Sequence, residues 1–160
     1  MKKTTALALV SSLFLLAACD SAGTDSGAAG GAGGAAGTGT GILGTNADGV
    51  SVGDRVYFDY NSSVVTAEGQ ATLDSQAQWL KQNGSVNVAI EGHCDERGTR
   101  EYNIALGERR ASAVKSYLVG LGVDASRVST ISYGKERPAV VGHDESSWSQ
   151  NRRGVTVIAN

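Results

Sequence analysis

Arg110 stands where a charge is hardest to accommodate. A helix predicted from about Arg100 to Val119, ending near Gly120-Leu-Gly122, gathers Leu106, Val114, Tyr117, Leu118 and Leu121 into one apolar arc. Arg110 falls in the middle of that arc and Arg109 on its shoulder, while Glu108, Ser112 and Lys115 take the solvent side. An unpaired buried charge costs several kcal/mol, so the guanidinium needs a partner. Two partners fit. One is an acidic side chain of the chain itself; the other is a ligand carboxylate, which the planar fork grips through two hydrogen bonds. Arg110 also lies in the first half of its helix, near the end whose backbone N–H groups favour anions. The segment feeding that end, Gly92-His-Cys-Asp-Glu-Arg-Gly-Thr99, offers Asp95, Gly98 and Thr99 to the same spot. With Asp95 turned to an ammonium and Arg110 to a carboxylate, the pair would hold a zwitterion.

His93-Cys94-Asp95 invites a catalytic reading, but neighbours on a strand point to opposite faces and cannot converge as nucleophile, base and orienter. There is no H-E-x-x-H and no nucleophile elbow. His93, His143 and an Asp could form a metal site in principle, yet two histidines without ligand spacing argue against one. The expectation is no catalytic residue and no metal.

The elements that position Asp95 and Arg110 alternate. Arg55 to Asp59 reads as a first strand, and Thr66 caps a helix running to Asn83 with Leu73, Ala77 and Leu80 on its inner face. Val86, Val88 and Ile90 alternate with polar or small residues as a second strand. After the Arg110 helix come a strand from Val128 to Tyr133 and a loop from Gly134 to Asp144. A short helix from Ser146 to Arg153 and a last strand from Val155 to Ile158 complete the chain. This order predicts an α+β fold, β-α-β-α-β-(α)-β, with helices packed on one face of a mixed four-stranded sheet.

The start of the chain reads as an address. Lys2 and Lys3 precede an apolar run from Ala6 to Leu16, too short for the roughly 20 residues of a membrane span. Leu16-Ala17-Ala18-Cys19 resembles the bacterial lipobox, in which residues 1–18 are removed and Cys19 carries a diacylglycerol and an N-acyl chain. One acyl chain anchors only reversibly, whereas several hold essentially permanently. Residues 19–45 then read as the lipidated cysteine and a disordered Gly/Ala-rich tether, and residues 46–160 as one folded domain. Gly31 to Ala36 formally fits a dinucleotide fingerprint, but no strand precedes it and no periodic helix follows.

Composition agrees. The 160 residues carry 14 Lys+Arg against 16 Asp+Glu, a formal −2, which argues against nucleic acid as a partner. Two cysteines exclude a disulfide-stapled scaffold, and with Cys19 acylated Cys94 is left a free thiol.

Several motifs in order then carry a likeness. Glu91 to Thr99, Glu101-Tyr-Asn103, Gly107 to Ala111, Ser132 to Pro138 and Asn151-Arg-Arg153 resemble the peptidoglycan-associated lipoprotein family, built on the OmpA-like C-terminal domain, over about residues 54–160. The resemblance implies a lipid-anchored, non-catalytic binder of peptidoglycan that holds the meso-diaminopimelate of an uncross-linked stem peptide. By motif position it implies Asp95 and Arg110 as the ligand pair, with Phe58, Asp59, Thr99, Asn103, Leu106 and Arg153 around it. It further implies the Tol-Pal system, a TolB-like propeller as partner, outer-membrane invagination during division, and no cofactor beyond the lipid at Cys19. The expected location is the outer membrane facing the periplasm, although Asp20 directly after Cys19 leaves inner-membrane retention open. A wall amidase or peptidase and a purely protein-binding adaptor are the alternative readings.

Overall fold

A computed structural model describes residues 41–159. The expectations for the leader, Cys19, Asp20 and the tether up to residue 40 lie outside the described residues. In chain order the elements are β1 Ile42–Thr45, β2 Ser51–Gly53, β3 Arg55–Tyr57, α1 Ala67–Gln82, β4 Asn87–His93, α2 Arg100–Gly120, a 3-10 turn at Ala125–Arg127, β5 Val128–Gly134, α3 Glu145–Asn151 and β6 Arg153–Ala159.

Helix α1 forms where its sequence permits little else. Thr66 accepts a hydrogen bond from Gly69 N at 3.1 Å, satisfying one of the orphan donors at a helix start, and Asn83 closes the other end on Trp79 O. Its inward stripe of Leu73, Gln76, Ala77 and Leu80 is fully or almost fully buried. Gln76 is the polar member, and it is satisfied: its Nε2 donates to Gly53 O at 2.7 Å and its Oε1 accepts from Thr156 Oγ1 at 2.7 Å. Helix α2 repeats the pattern, with Thr99 accepting from Tyr102 N and with Asn103, Leu106, Gly107, Arg110, Ala111, Val114 and Leu118 turned inward.

The sheet order is β3-β6-β4-β5. Strands β4 and β5 are parallel and joined through α2, while β6 lies antiparallel between β3 and β4. The predicted mixed four-stranded sheet with helices packed against it is therefore what forms. Leu73 and Leu80 of α1, Val114 and Leu118 of α2, and Val56, Val88, Ile90 and Val128 of the strands share one core. Each such side chain contributes about 1.5–3 kcal/mol on burial.

Several bounds depart from the sequence reading: β4 stops at His93, so Cys94 and Asp95 lie beyond the strand, and the short helix ends at Asn151, with Arg153 already in β6. Strand β3 stops at Tyr57, although Phe58 N still donates to Arg152 O at 2.9 Å; Asp59 is outside it. An additional antiparallel hairpin, β1–β2, takes in residues assigned to the tether, so the folded part begins before residue 46. Leu43 and Val52 are buried, and the Trp79 ring lies flat on Gly44, where a Cβ would sit 2.5 Å from it. Trp79 Nε1 donates to Thr45 O at 3.1 Å, tying the hairpin to α1.

One backbone contact sets the depth of α2 on the sheet. A Cβ on Gly92 of β4 would lie 1.9 Å from the carbonyl oxygen of Gly107, so only two glycines allow this approach. It brings Arg110, one turn further along α2, against the end of β4.

Candidate functional site

Arg110 is completely buried, and its three guanidinium nitrogens all donate to main-chain carbonyls. Nε reaches Ser62 O at 2.8 Å, Nη1 reaches His93 O at 2.8 Å and Nη2 reaches Asp59 O at 3.1 Å. The Phe58 ring lies under it, centroid 5.2 Å from the guanidinium carbon. Of the two anticipated partners the internal one is not what holds it: no carboxylate among the described residues forms an ion pair with it. Burial lowers its pKa from the ordinary value, with Cys94 and Asp95 opposing, yet a guanidinium stays charged at neutral pH. The fork thus clips the β3–α1 loop to the end of β4 and remains a cation that feels Asp95 nearby but forms no ion pair among the described residues.

Above it opens a cleft of about 240 Å³. Tyr60 and Asn61 form one wall, Cys94, Asp95, Arg97 and Gly98 a second, and Tyr102, Asn103, Leu106 and Arg110 the third. Gly98 turns the second wall with φ +92°, a left-handed value other residues rarely adopt. Asn103 staples that wall to α2, its Nδ2 donating to Arg97 O at 2.8 Å and Thr99 O at 3.0 Å. Lys135 Nζ donates to Glu96 O and Gly98 O from outside. The Tyr102 hydroxyl donates to Asn61 Oδ1 across the mouth.

Asp95 is buried in the same cleft and already engaged. Arg97 reaches it by Nη2 at 2.6 Å, Nε at 3.2 Å and its own backbone N at 3.1 Å; Arg152 Nη1 stands 3.5 Å away. Burial pushes the Asp95 carboxyl up, but Arg97's bonds, with Arg152 behind, outweigh it and hold the pKa below the usual carboxylate value.

The structure brings together four of the residues expected at the site, Asp95, Asn103, Leu106 and Arg110. Thr99 caps α2 rather than lining the cleft. Phe58 and Asp59 border a neighbouring groove with Tyr57 and Arg152, and Asp59 serves Arg110 only through its carbonyl. Arg153 is not brought to the cleft. Its Nη1 and Nη2 donate to Asn151 O and Arg137 O, and the residue beside it in sequence, Arg152, reaches Asp95 instead. The boundary between elements separates those two side chains: Arg152 is the C-cap of α3, and Arg153 is the first residue of β6. Tyr60, Asn61, Arg97 and Tyr102 were not singled out beforehand. Arg97 was legible only as one more charge in a polar loop.

Cys94, His93 and His143 are each held apart from the others. The Cys94 thiol donates to Asn103 O at 3.3 Å, and burial pushes its pKa up, so thiolate is scarce. Burial pulls the His93 pKa down against the opposing Glu91 carboxylate, 3.5 Å from its Nε2, and the ring lies beside Tyr133. His143 is on the surface with Glu96, 2.8 Å away. Among the described residues no group of three His, Cys, Asp or Glu could hold a metal ion.

The family model described as OmpA family matches residues 57–152, which span both loops and α2. A Haemophilus influenzae protein named peptidoglycan-associated lipoprotein is 46% identical, over 93% of this chain and 94% of its own length. The chain belongs to the OmpA family, among its peptidoglycan-associated lipoproteins. A Rhizobium meliloti protein of the same name is 60% identical over 109 residues, 68% of this chain and 62% of that relative, so the match spans less than two thirds of the latter. The crystal structure of the peptidoglycan-associated lipoprotein from Burkholderia pseudomallei superposes with TM-score 0.65 at 47% identity, over 66% of this chain and 90% of that one. As an OmpA-family domain, the chain has its Asp95–Arg110 cleft inside the matched region.

Proposed function

We propose that the protein is a lipid-anchored, non-catalytic binder of peptidoglycan that tethers the outer membrane to the wall. In this reading Cys19 carries the diacylglycerol and N-acyl chain, and the cleft takes the meso-diaminopimelate of a stem peptide, whose side chain ends in an ammonium and a carboxylate. The observation that carries it is Arg110: a buried cation lining a cleft, solvated by three carbonyl dipoles and forming no ion pair with a carboxylate among the described residues. A ligand carboxylate would supply the missing counter-charge, and Asp95 in the same cleft would receive the ammonium. The names of the relatives point to the same ligand class. The reading extends to the Tol-Pal system, with a TolB-like propeller as partner and a role in outer-membrane invagination during division.

The test is retention of the purified protein by pelleted sacculi. Asp95→Asn keeps the shape and accepting oxygen but removes the charge, and is expected to weaken retention about tenfold or more. Retention unchanged in that variant would overturn the cleft as the binding site. The pH dependence follows from the lowered Asp95 pKa. A carboxyl held lower in the folded protein than its unfolded value of about 3.9 stabilises fully above that value and loses its effect as pH falls through the folded one. Retention is therefore expected to stay level from neutrality down to about pH 5.

A further inference from the structure

Two cations compete for Asp95, and they are held very differently. Arg152 is 8% exposed at its side chain and anchored twice more, by Nε to Phe58 O at 3.0 Å and by Nη2 to Glu145 at 2.6 Å. Arg97 is 30% exposed, sits in the β4–α2 loop, and makes the closer contact with the carboxylate. Its guanidinium is slotted between two aromatic faces, 4.2 Å from the Tyr60 ring centroid and 4.0 Å from that of Trp148. Beyond Asp95, the acid it meets among the described residues is Glu145 at 3.7 Å, itself largely exposed.

We propose that Arg97 is a built-in competitor for the ligand's ammonium. It holds Asp95 while the cleft is empty, withdraws when an ammonium-bearing ligand enters, and so sets which ligands the cleft accepts. The inference rests on the cleft reading given above and deepens it. Its physical appeal is that the Asp95 carboxylate is never left bare: one cation replaces another at a buried acid, which avoids the desolvation cost of an unpaired charge. A ligand without an ammonium cannot make that exchange and leaves Arg97 in place. The apparent affinity for an ammonium ligand is then reduced by the fraction of molecules in which Arg97 has already let go. Arg97 is thus a specificity-determining residue that acts by occupying the site.

The experiment titrates the purified protein and its Arg97→Gln variant with two probes. One is a stem peptide bearing meso-diaminopimelate; the other is the same peptide with the side-chain ammonium replaced by hydrogen. The variant is expected to bind the first probe roughly three- to tenfold tighter and the second unchanged. Weaker binding of the first probe, or an equal change for both, would overturn the inference. A second measurement needs no variant: in the unaltered protein the Arg97 Nε–H resonance and Trp148 fluorescence are followed at saturation. Loss of the protected Arg97 signal together with a change at Trp148 is the expected result, and an Arg97 signal that stays put refutes the exchange. If the unaltered protein binds neither probe, the cleft reading falls and this inference with it. If it binds the first probe and Arg97→Gln is no tighter, only the inference falls.

Discussion

Arg110→Ala is expected to lower the unfolding free energy by about 3–5 kcal/mol and to abolish peptide binding by the fraction that remains folded. The first effect arises because the guanidinium donates to three carbonyls at once, those of Asp59, Ser62 and His93, and only Asp59 O is seen to accept a further bond, from Ser62 N at 3.2 Å, among the loop and side-chain contacts of the described residues. Truncation takes that donor from all three, leaves Asp59 O with Ser62 N alone, and opens a cavity over Phe58. Against a total stability of about 5–15 kcal/mol for a domain of this kind, the loss is severe. Arg110→Lys separates the two roles. An ammonium keeps the charge but lacks the planar fork, so it cannot reach all three carbonyls and present a bidentate face as well. It is expected to recover part of the stability and little of the binding. Denaturant unfolding with peptide titration reads both. A drop below about 0.5 kcal/mol in the alanine variant would mean that the three carbonyls do not depend on Arg110.

The second large effect is expected at a residue with no side chain at all. In Gly92→Ala the new Cβ would meet Gly107 O at 1.9 Å and Gly107 C at 2.5 Å, backbone atoms that cannot rotate away. Helix α2 must then retreat from β4, and the expected cost is about 2–4 kcal/mol in thermal or denaturant unfolding. Binding should suffer too, since the retreat pulls Arg110 Nη1 from the carbonyl of His93, the residue following Gly92. Gly120→Ala is the control. It is helical, and a Cβ there meets nothing within 4 Å, so a neutral or slightly stabilising change is expected. Similar costs at both positions would show that the Gly92–Gly107 approach does not set the helix position.

Much of the frame was legible because it is written in local terms. Thr66 caps the helix it precedes, and the spacing of Leu73, Ala77 and Leu80 gives the buried face of α1. Arg110 was conspicuous because a charge on an apolar stripe has no local explanation. What escaped was whatever depends on backbone atoms or distant contacts. The carbonyls that hold Arg110 have no residue type and leave no trace in a sequence. The β1–β2 hairpin depends on Trp79 lying on Gly44, thirty-odd residues away, and its own strands carry little more than Leu43 and Val52 to announce them. The choice of Arg152 over Arg153 at Asp95 follows from where α3 ends and β6 begins, a boundary that falls between these two residues. Arg97 was one of several loop charges until the Tyr60 and Trp148 rings closed on it.

The central claim is that the Arg110 guanidinium reads a carboxylate brought by a ligand. Calorimetric titration of the purified protein with two stem peptides, identical except for meso-diaminopimelate or lysine at the third position, tests it directly. Lysine keeps the ammonium and lacks the second carboxylate. Binding of the diaminopimelate peptide with an affinity about tenfold or more above that of the lysine peptide is the predicted result. Equal affinities for the two would contradict it.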